Sequence, residues 1–399
     1  FTDFVVLEDG ALTVFKIPST PEHPEKAILE GLAQVLADQD EYLIQHGSTV
    51  ATNNLLERKG AKTLLVTNEG FEDLLEIGRQ DRPGLYQLSS SRPEPLVASN
   101  FRLGIKERIL HDGKTLVALD KRSLGWLQSK VEQLAPEAIA VVLLYSYLKP
   151  ENEKQIGEAL KGAAVPISLS HQVLSEFREY ERTSATVVNA YLSTTMSSYL
   201  SALSEDPLIQ KGKLTIMQSN GGSMPAVAAG SDPLRTLLSG PAGGVVGAFE
   251  LLKEAGHDQI ITLDMGGTST DVSLVEAGRP AFTTSRLVAD YPVRCPMLDI
   301  NVIGAGGGKV LPQRFAPMKP EYWPTAVRQK SASTAANMWS VTSRAGSPLS
   351  AALRRLKCTR ARKPTPTPIP MPEPNMPART TLRGPNLSPH TPQMNCPRA

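Results

Sequence analysis

The ten residues that open the chain, FTDFVVLEDG, return at residues 269–278 as STDVSLVEAG. Thr2/Thr270, Asp3/Asp271, Glu8/Glu276 and Gly10/Gly278 are identical, and apolar residues match between them. Each copy alternates apolar and polar positions and then meets a glycine, the pattern of a strand running into a tight hairpin. A recurrence of this kind implies two similar halves, each opening with the same β-hairpin. Asp264-Met265-Gly266-Gly267-Thr268 precedes the second copy. Its counterpart would lie ahead of Phe1, so the first half is expected to lack that segment.

The chain between the copies alternates strand-like and helix-like segments. LTVFKI (12–17) reads as the second arm of the first hairpin, and 24–38 carries Ile28, Leu29, Leu32, Val35 and Leu36 at helical spacing. KTLLVT (62–67) predicts a short buried strand, followed by helical Leu74, Leu75 and Ile77 and a Pro/Ser-rich loop over 82–95. AIAVVLLYSYL (138–148) predicts one continuous apolar strand, then a helix from Pro150 to about Lys161, in the manner of a parallel sheet with crossover helices. The Ser/Thr-rich stretch from Thr183 to Ser204 predicts a surface-packed helix. LTIMQS (214–219) reads as a strand ending in Asn220-Gly221-Gly222, and a helix runs from about Gly240 to Ala255. Ile260–Gly278 reads as two strands around a glycine turn.

Charge divides the chain sharply. Residues 1–308 hold 27 Lys+Arg and 38 Asp+Glu, a net of −11, whereas 309–399 hold 15 and 2, a net of +13, with 16 of the 32 prolines. No helical or strand period is sustained in that basic tail, which is expected to form no packed domain. The acidic part gives no basic surface for nucleic acid. The longest strongly apolar run, 138–148, is too short to span a bilayer. Three cysteines without a CxxC exclude a disulfide framework and a structural zinc site. No charged-then-apolar leader opens the chain, and a cytoplasmic location is the expectation.

Several short motifs carry chemistry. In Asp264–Asp271 the side-chain-free Gly266 and Gly267 let backbone N–H groups approach an anion, while Thr268 and Thr270 add hydroxyl donors. Asp264, at a strand end, could hold Mg²⁺ through water or orient an attacking water. A plain hairpin with turn-type Gly and Asp is the other reading. Ser239-Gly240-Pro241-Ala242-Gly243-Gly244 before a helix fits an anion-binding N-terminus or a loop with close helix packing. Gly304-Ala305-Gly306-Gly307-Gly308 fits a turn lying against a nucleotide or an ordinary loop. For 46–53 an N-capped helix with Thr52 or Asn53 at the cap is preferred over a substrate loop. Arg178–Arg182 reads as a solvated charge cluster, and Cys295 as a buried small residue.

Together FTDFVVLEDG, residues 46–83, SEFREYERTSATVVNAYL (175–192), QSNGGSMP (218–225), LLSGPAGGVVGA (237–248), LDMGGTSTDV (263–272) and NVIGAGGG (301–308) resemble the hydantoinase/oxoprolinase family, ATP-dependent openers of cyclic amides. The resemblance covers 1–308 and is read as stopping there. It implies an α/β fold of two related actin-like halves, of the sugar-kinase and Hsp70-like ATPase kind, truncated here and followed by a disordered tail. The expected division is 1–182, 183–308 and 309–399. It implies ATP and Mg²⁺ as cofactors, with Asp264 and Asp271 catalytic and Asp264 holding the metal. Thr2, Asp3, Gly240, Gly243, Gly244, Gly266, Gly267, Thr268, Thr270, Gly306, Gly307 and Gly308 would border the nucleotide, and Thr49, Asn53, Arg79 and Asn220 the substrate. The implied partners are a small cyclic amide such as 5-oxoproline or a hydantoin, and a second, B-type subunit or fused domain. A homo-oligomer is implied in complete relatives, and neither nucleic acid nor membrane is. A non-catalytic actin-like nucleotide-binding module and an ATP-dependent ketone carboxylase subunit are the alternatives. The chain as written is expected to be an incomplete, inactive fragment.

Overall fold

The computed structural model describes residues 1–20, 22–36, 41–81, 93–265 and 270–303, together with the backbone of 338–343. Strands β1 (Thr2–Glu8) and β2 (Ala11–Ile17) pair with Glu8 opposite Ala11. Asp9 and Gly10, at φ 46° and 79°, supply the two left-handed residues that a two-residue hairpin demands. Helix α1 (Pro24–Leu36) buries Ile28, Leu32 and Leu36 on one face, as its spacing predicts. β3 (Tyr42–His46) and α2 (Val50–Leu56) then lead to β4 (Thr63–Asn68) and the single turn α3 (Leu74–Ile77).

A contiguous α/β layer follows. It comprises β5 (Arg102–Ile105), the small hairpin β6 (Arg108–Ile109) and β7 (Thr115–Val117), α4 (Lys121–Leu134), β8 (Ala138–Val142), α5 (Glu151–Leu160), β9 (Ile167–Leu169) and α6 (Ser170–Val173). Its sheet has the order β5-β4-β8-β9, every pair parallel, as the apolar runs and intervening helices anticipate. The expected strand over 138–148 stops at Val142. Leu143 N donates to Glu153 Oε1 at 2.9 Å and Leu144 N to Asn68 Oδ1 at 2.7 Å, so side chains take the amides that a longer strand would give to a neighbour. Tyr145 then turns the chain at φ 57°.

Helix α7 (Glu179–Ser204) is not the surface helix that its Ser/Thr content suggests. It lies between two cores. Val188, Leu192, Met196, Leu200 and Leu203 pack with β1, β3 and α1 residues, while Val187 and Ala190 pack with Leu65, Ala138, Ala140 and Val142 of the parallel sheet. The hydroxyls survive burial because they bond to their own helix: Thr183 to Glu179 O and Thr186 to Arg182 O at 2.7 Å, Ser193 to Ala190 O at 2.8 Å. Of the charge cluster at its start, Arg178 is exposed as expected, but Glu181 and Arg182 are interior. Arg182 is 1% exposed and donates to Ser146 Oγ at 2.6 Å and Leu143 O at 2.7 Å. Ser146 bonds Ser170, and Ser170 bonds Glu153, so two hydroxyls link the buried arginine to a buried carboxylate.

After α8 (Pro207–Gln210) come β10 (Lys213–Met217), β11 (Ser223–Pro225), α9 (Ala226–Ser231) and α10 (Ser239–Glu254). β12 (Ile260–Met265), β13 (Thr270–Glu276) and β14 (Arg279–Pro280) follow, then β15 (Phe282–Thr283), β16 (Arg286–Val288), β17 (Tyr291–Val293), β18 (Met297–Leu298) and β19 (Ile300–Ile303). The β13–β14 turn repeats the first hairpin: Glu276 stands opposite Arg279, and Ala277 and Gly278 sit at φ 50° and 68°. The two sequence copies thus adopt one local structure. β13 lies between β12 and β19.

A six-stranded sheet has the order β11-β10-β3-β20-β1-β2, where β20 is Met338–Ser343. Strands from both sides of residue 183 therefore share one sheet. β20 also corrects the expectation of no strand in the tail: a six-residue piece is too short to display a period, yet it pairs parallel to β1 and antiparallel to β3. Residues 82–92 and the rest of the tail lie outside the described residues. Among the described residues no helix is long and apolar enough to cross a membrane.

Gly31 shows how tightly the first core is set. A Cβ there would stand inside the contact shell of the Phe4 ring, which is fully buried and stacked on Phe15 with centroids 4.7 Å apart. Overpacking costs about 1–3 kcal/mol, against a helix-propensity gain of about 1 kcal/mol for Gly→Ala. Gly31→Ala is expected to lower the melting temperature, and adding Phe4→Leu to recover part of the loss. Thermal unfolding of the single and double variants checks this.

Candidate functional site

The carboxyl ends of the parallel pair β3 and β10 lie side by side, with Ile216 in register with His46. Phe4, Trp339, His46 and Ile216 form one row across the sheet. Asp3 and Thr2, one and two steps beyond that row, therefore share a sheet end with loop 47–49 and with Ser219-Asn220. Crevices beyond the carboxyl ends of parallel strands are the usual binding positions in open α/β sheets.

Helix α10 starts at this end. Ser239 Oγ accepts from Ser48 N at 3.2 Å and donates to Ser48 O at 3.0 Å, while Leu238 N donates to Thr52 Oγ1 at 3.0 Å. Ser219 Oγ lies 2.7 and 2.6 Å from the carbonyl oxygens of Arg235 and Leu237. Thr49, Asn53, Asn220 and Gly240 are thereby gathered from three elements. Thr49 itself occupies the N-cap of α2, earlier than the expected Thr52 or Asn53, and Val50 N bonds Ser48 Oγ at 3.1 Å. Thr52 is thus freed to serve Leu238.

The far side of α10 carries the second aspartate motif. Ala242 and Val245, in its first turns, cluster with Leu298 and Ile300, whereas Phe249, a turn later, clusters with Ile260 and Val275. Ile260 begins β12 and pairs with Val275 near the end of β13, so the helix runs antiparallel to β12. The Asp264–Thr270 end of that hairpin consequently lies toward the start of α10. Asp264 stands directly opposite Asp271 across the strand pair, both on the face that turns to the helix. Burial raises the Asp271 pKa, with Arg286 opposing.

The remaining expected residues are placed as follows. Thr2 Oγ1 is 3.0 Å from Ser19 Oγ, and Asp3 is buried in an ion pair with Lys16 at 2.8 Å. Asn53 Nδ2 lies 3.4 Å from Thr49 Oγ1, and Asn220 Oδ1 accepts from Gly222 N at 2.8 Å. Gly240 and Gly243 are buried in α10, and Gly244 is half-buried. Arg79 is tied to Glu181 at the start of α7, its Nε 2.6 Å from Oε1. Gly266, Gly267, Thr268, Gly306, Gly307 and Gly308 lie outside the described residues. No sequence signal marks the contacts that Ser48, Ser219, Ser239, Tyr199 and His46 make between elements, because those contacts join residues far apart in the chain. Tyr199 hydroxyl sits 2.6 Å from His46 Nε2 and also bonds the Ser48 side chain. Among the described residues no group of three His, Cys, Asp or Glu is placed to hold a metal.

Two family models cover most of this framework: the hydantoinase/oxoprolinase N-terminal region matches residues 1–163, and the hydantoinase/oxoprolinase model matches 182–336. The chain belongs to the hydantoinase/oxoprolinase family. The match runs past residue 308, where the motifs alone end. Caprolactamase subunit alpha of Pseudomonas jessenii is 34% identical over 329 residues, covering 78% of this chain and 47% of that protein. The acetophenone carboxylase gamma subunit of Aromatoleum aromaticum is 31% identical, covering 78% and 46%. The 5-oxoprolinase of Dictyostelium discoideum is 32% identical, covering 73% and 27%. The crystal structure of the ATP-dependent caprolactamase superposes with a TM-score of 0.68 at 32% identity, over 77% of this chain and 48% of that one. This hydantoinase/oxoprolinase chain thus spans about half the length, or less, of these relatives.

Two buried groups give direct tests. Burial pushes the Cys295 thiol up to about 12, so it is expected to resist alkylation in the folded chain and to react once denatured, read by site-resolved mass spectrometry. Burial lowers His46 to about 3 from its ordinary 6.5. The folded chain refuses a proton that the unfolded chain accepts, so this stability is complete above about pH 6.5 and lost as pH falls toward 3, by about 1.4 kcal/mol per unit. Urea unfolding against pH should show a shallower acid slope in His46→Gln than in the parent.

Proposed function

We propose that this chain is the nucleotide-handling part of an ATP-dependent hydrolase that opens a small cyclic amide. The observation that carries the reading is the recurrence of one hairpin, Thr2-Asp3 at an end of the six-stranded sheet and Thr270-Asp271 on β13, with α10 packed against both β10 and β12, in a chain of this family. The two hairpins would be the phosphate-facing elements of two actin-like halves, with ATP between them. Gly240, Gly243, Gly244, Gly266, Gly267, Thr268 and Gly306–Gly308 would border the nucleotide.

The chemistry explains the need for ATP. A ring amide is a weak electrophile. Transfer of the γ-phosphoryl group to its carbonyl oxygen, releasing ADP, turns that oxygen into a leaving group. Water then adds to the carbon, the tetrahedral intermediate breaks its C–N bond as the nitrogen takes up a proton and leaves an acyl phosphate on the opened chain, and a second water displaces phosphate to give the carboxylate of the amino acid. Phosphoryl transfer depends almost entirely on positioning and on charge neutralisation. Asp264 and Asp271 would hold a Mg²⁺ ion: they are hard oxygen ligands opposite each other on one face of neighbouring strands, and a cation there would offset the burial that raises the Asp271 pKa. Such an ion would neutralise phosphate charge. Thr49, Asn53 and Asn220 border the same sheet end and are the substrate-side candidates, with Arg79 held apart on Glu181.

Two relatives are named as subunits, which supports a partner subunit for this chain. The acetophenone carboxylase gamma subunit also supports a second reading, ATP-dependent activation of a ketone. The purified chain, alone and with a B-type subunit, is to be incubated with ATP and 5-oxoproline, a hydantoin, caprolactam, or acetophenone with bicarbonate. Amide-dependent release of ADP with the opened amino acid supports the hydrolase, and bicarbonate-dependent ADP release the carboxylase. ADP release indifferent to all of them leaves a nucleotide-binding module. Asp264→Asn is expected to cut amide-dependent turnover by a factor of at least about 100 with the fold intact, and Gly267→Val to abolish ATP binding by calorimetry.

A further inference from the structure

Leu238, the residue before α10, has a φ of 58°. That left-handed region is avoided by residues with a bulky side chain. Such strain persists only where the surroundings over-determine it. Here the backbone around Leu238 is held by hydroxyls from three separate elements: Thr52 on α2, Ser219 at the end of β10, and Ser239 bridging both backbone groups of Ser48. Ser48 is in turn bonded to Tyr199 of α7, and Tyr199 to His46 of β3. Ser48, Ser219 and Ser239 are at most 1% exposed, so water does not compete for these bonds.

What this arrangement fixes is a direction. Helix α10 begins just after Leu238, packs on one side against β10 of the six-stranded sheet and on the other against β12 and β13. The angle at Leu238 therefore sets how the hairpin bearing Asp264, Thr270 and Asp271 faces the sheet end bearing Thr2 and Asp3. We propose that Thr52 and Ser239 are positioning residues, which hold Leu238 in its left-handed conformation and so align the two repeated motifs. The functional consequence rests on the nucleotide reading given above, whereas the alignment itself does not. A ligand gripped from both hairpins loses contacts when one swings, and a displacement of about 1 Å at such a site costs on the order of 100-fold.

The test uses the full chain with Cys358→Ser and Cys396→Ser, and spin labels at Val14→Cys on β2 and Ile261→Cys on β12, both exposed. The parent is expected to give one narrow label–label distance distribution. Thr52→Val and Ser239→Ala should broaden or shift it, and Thr52→Ser, which keeps the hydroxyl, should not. Should Thr52→Val fail to fold, Ser219→Ala takes its place. The affinity for a fluorescent ATP analogue should fall by about 10–100-fold in the first two variants and be kept in Thr52→Ser. Unchanged distances in Thr52→Val and Ser239→Ala overturn the proposal, even where their melting temperatures drop, because a merely stabilising role moves only the latter. A parent that binds no analogue overturns the nucleotide reading and leaves the alignment to be decided by the distances.

Discussion

Two sheets flank helix α7, and neither could close against it if the helix offered unmet polar groups. Its threonines and serines meet that demand by bonding carbonyls of the preceding turn, at 2.7–2.8 Å for Thr183, Thr186 and Ser193. Small side chains whose polarity is spent internally behave as spacers of nearly apolar character. The same economy extends to Arg182, whose charge is carried through Ser146 and Ser170 to Glu153. Glu153 is buried, which by itself raises a carboxyl pKa. Four donors, from Leu143, Ser170 and His171, reverse that and hold it ionised. Although Arg182 Nε has no hydrogen-bond partner, a network bonded this densely favours one packing over others.

Much of the scaffold was legible because its signals are local. The Asp9-Gly10 and Ala277-Gly278 turns, the α1 stripe and the parallel strands Thr63–Asn68 and Ala138–Val142 all follow from period and turn chemistry. The failures share a cause as well. Strand Ala138–Val142 ends where Asn68 and Glu153, distant in sequence, capture two amides. A Ser/Thr-rich helix is told from a surface helix only by what surrounds it. Arg182, read with its neighbours as solvated, is interior only once the partners Ser146 and Leu143 are in place.

At the candidate site the same division holds. The repeated Thr-Asp motifs announced themselves by identity, and α10 packs between the sheets that carry them. The hydroxyls that organise the approach, on Ser48, Thr52, Ser219 and Ser239, carry no signature in sequence. Serine and threonine are common, and each here acts on backbone up to 191 residues away.

The strand order of the large sheet has a consequence for how the protein is made. The parallel layer, Thr63 to Leu169, is contiguous and can form as soon as it leaves the ribosome. The other sheet sets Met338–Ser343 between β1 and β3, so its middle stays open until some 330 further residues have followed β1. At about 5–20 residues per second that interval is roughly 15–70 s. Through it the inner edges of Thr2–Glu8 and Tyr42–His46 present unpaired backbone to whatever other chain is near. Those two edges call for shielding until Met338–Ser343 arrives, and the yield of folded chain in a cell depends on how well that shielding holds.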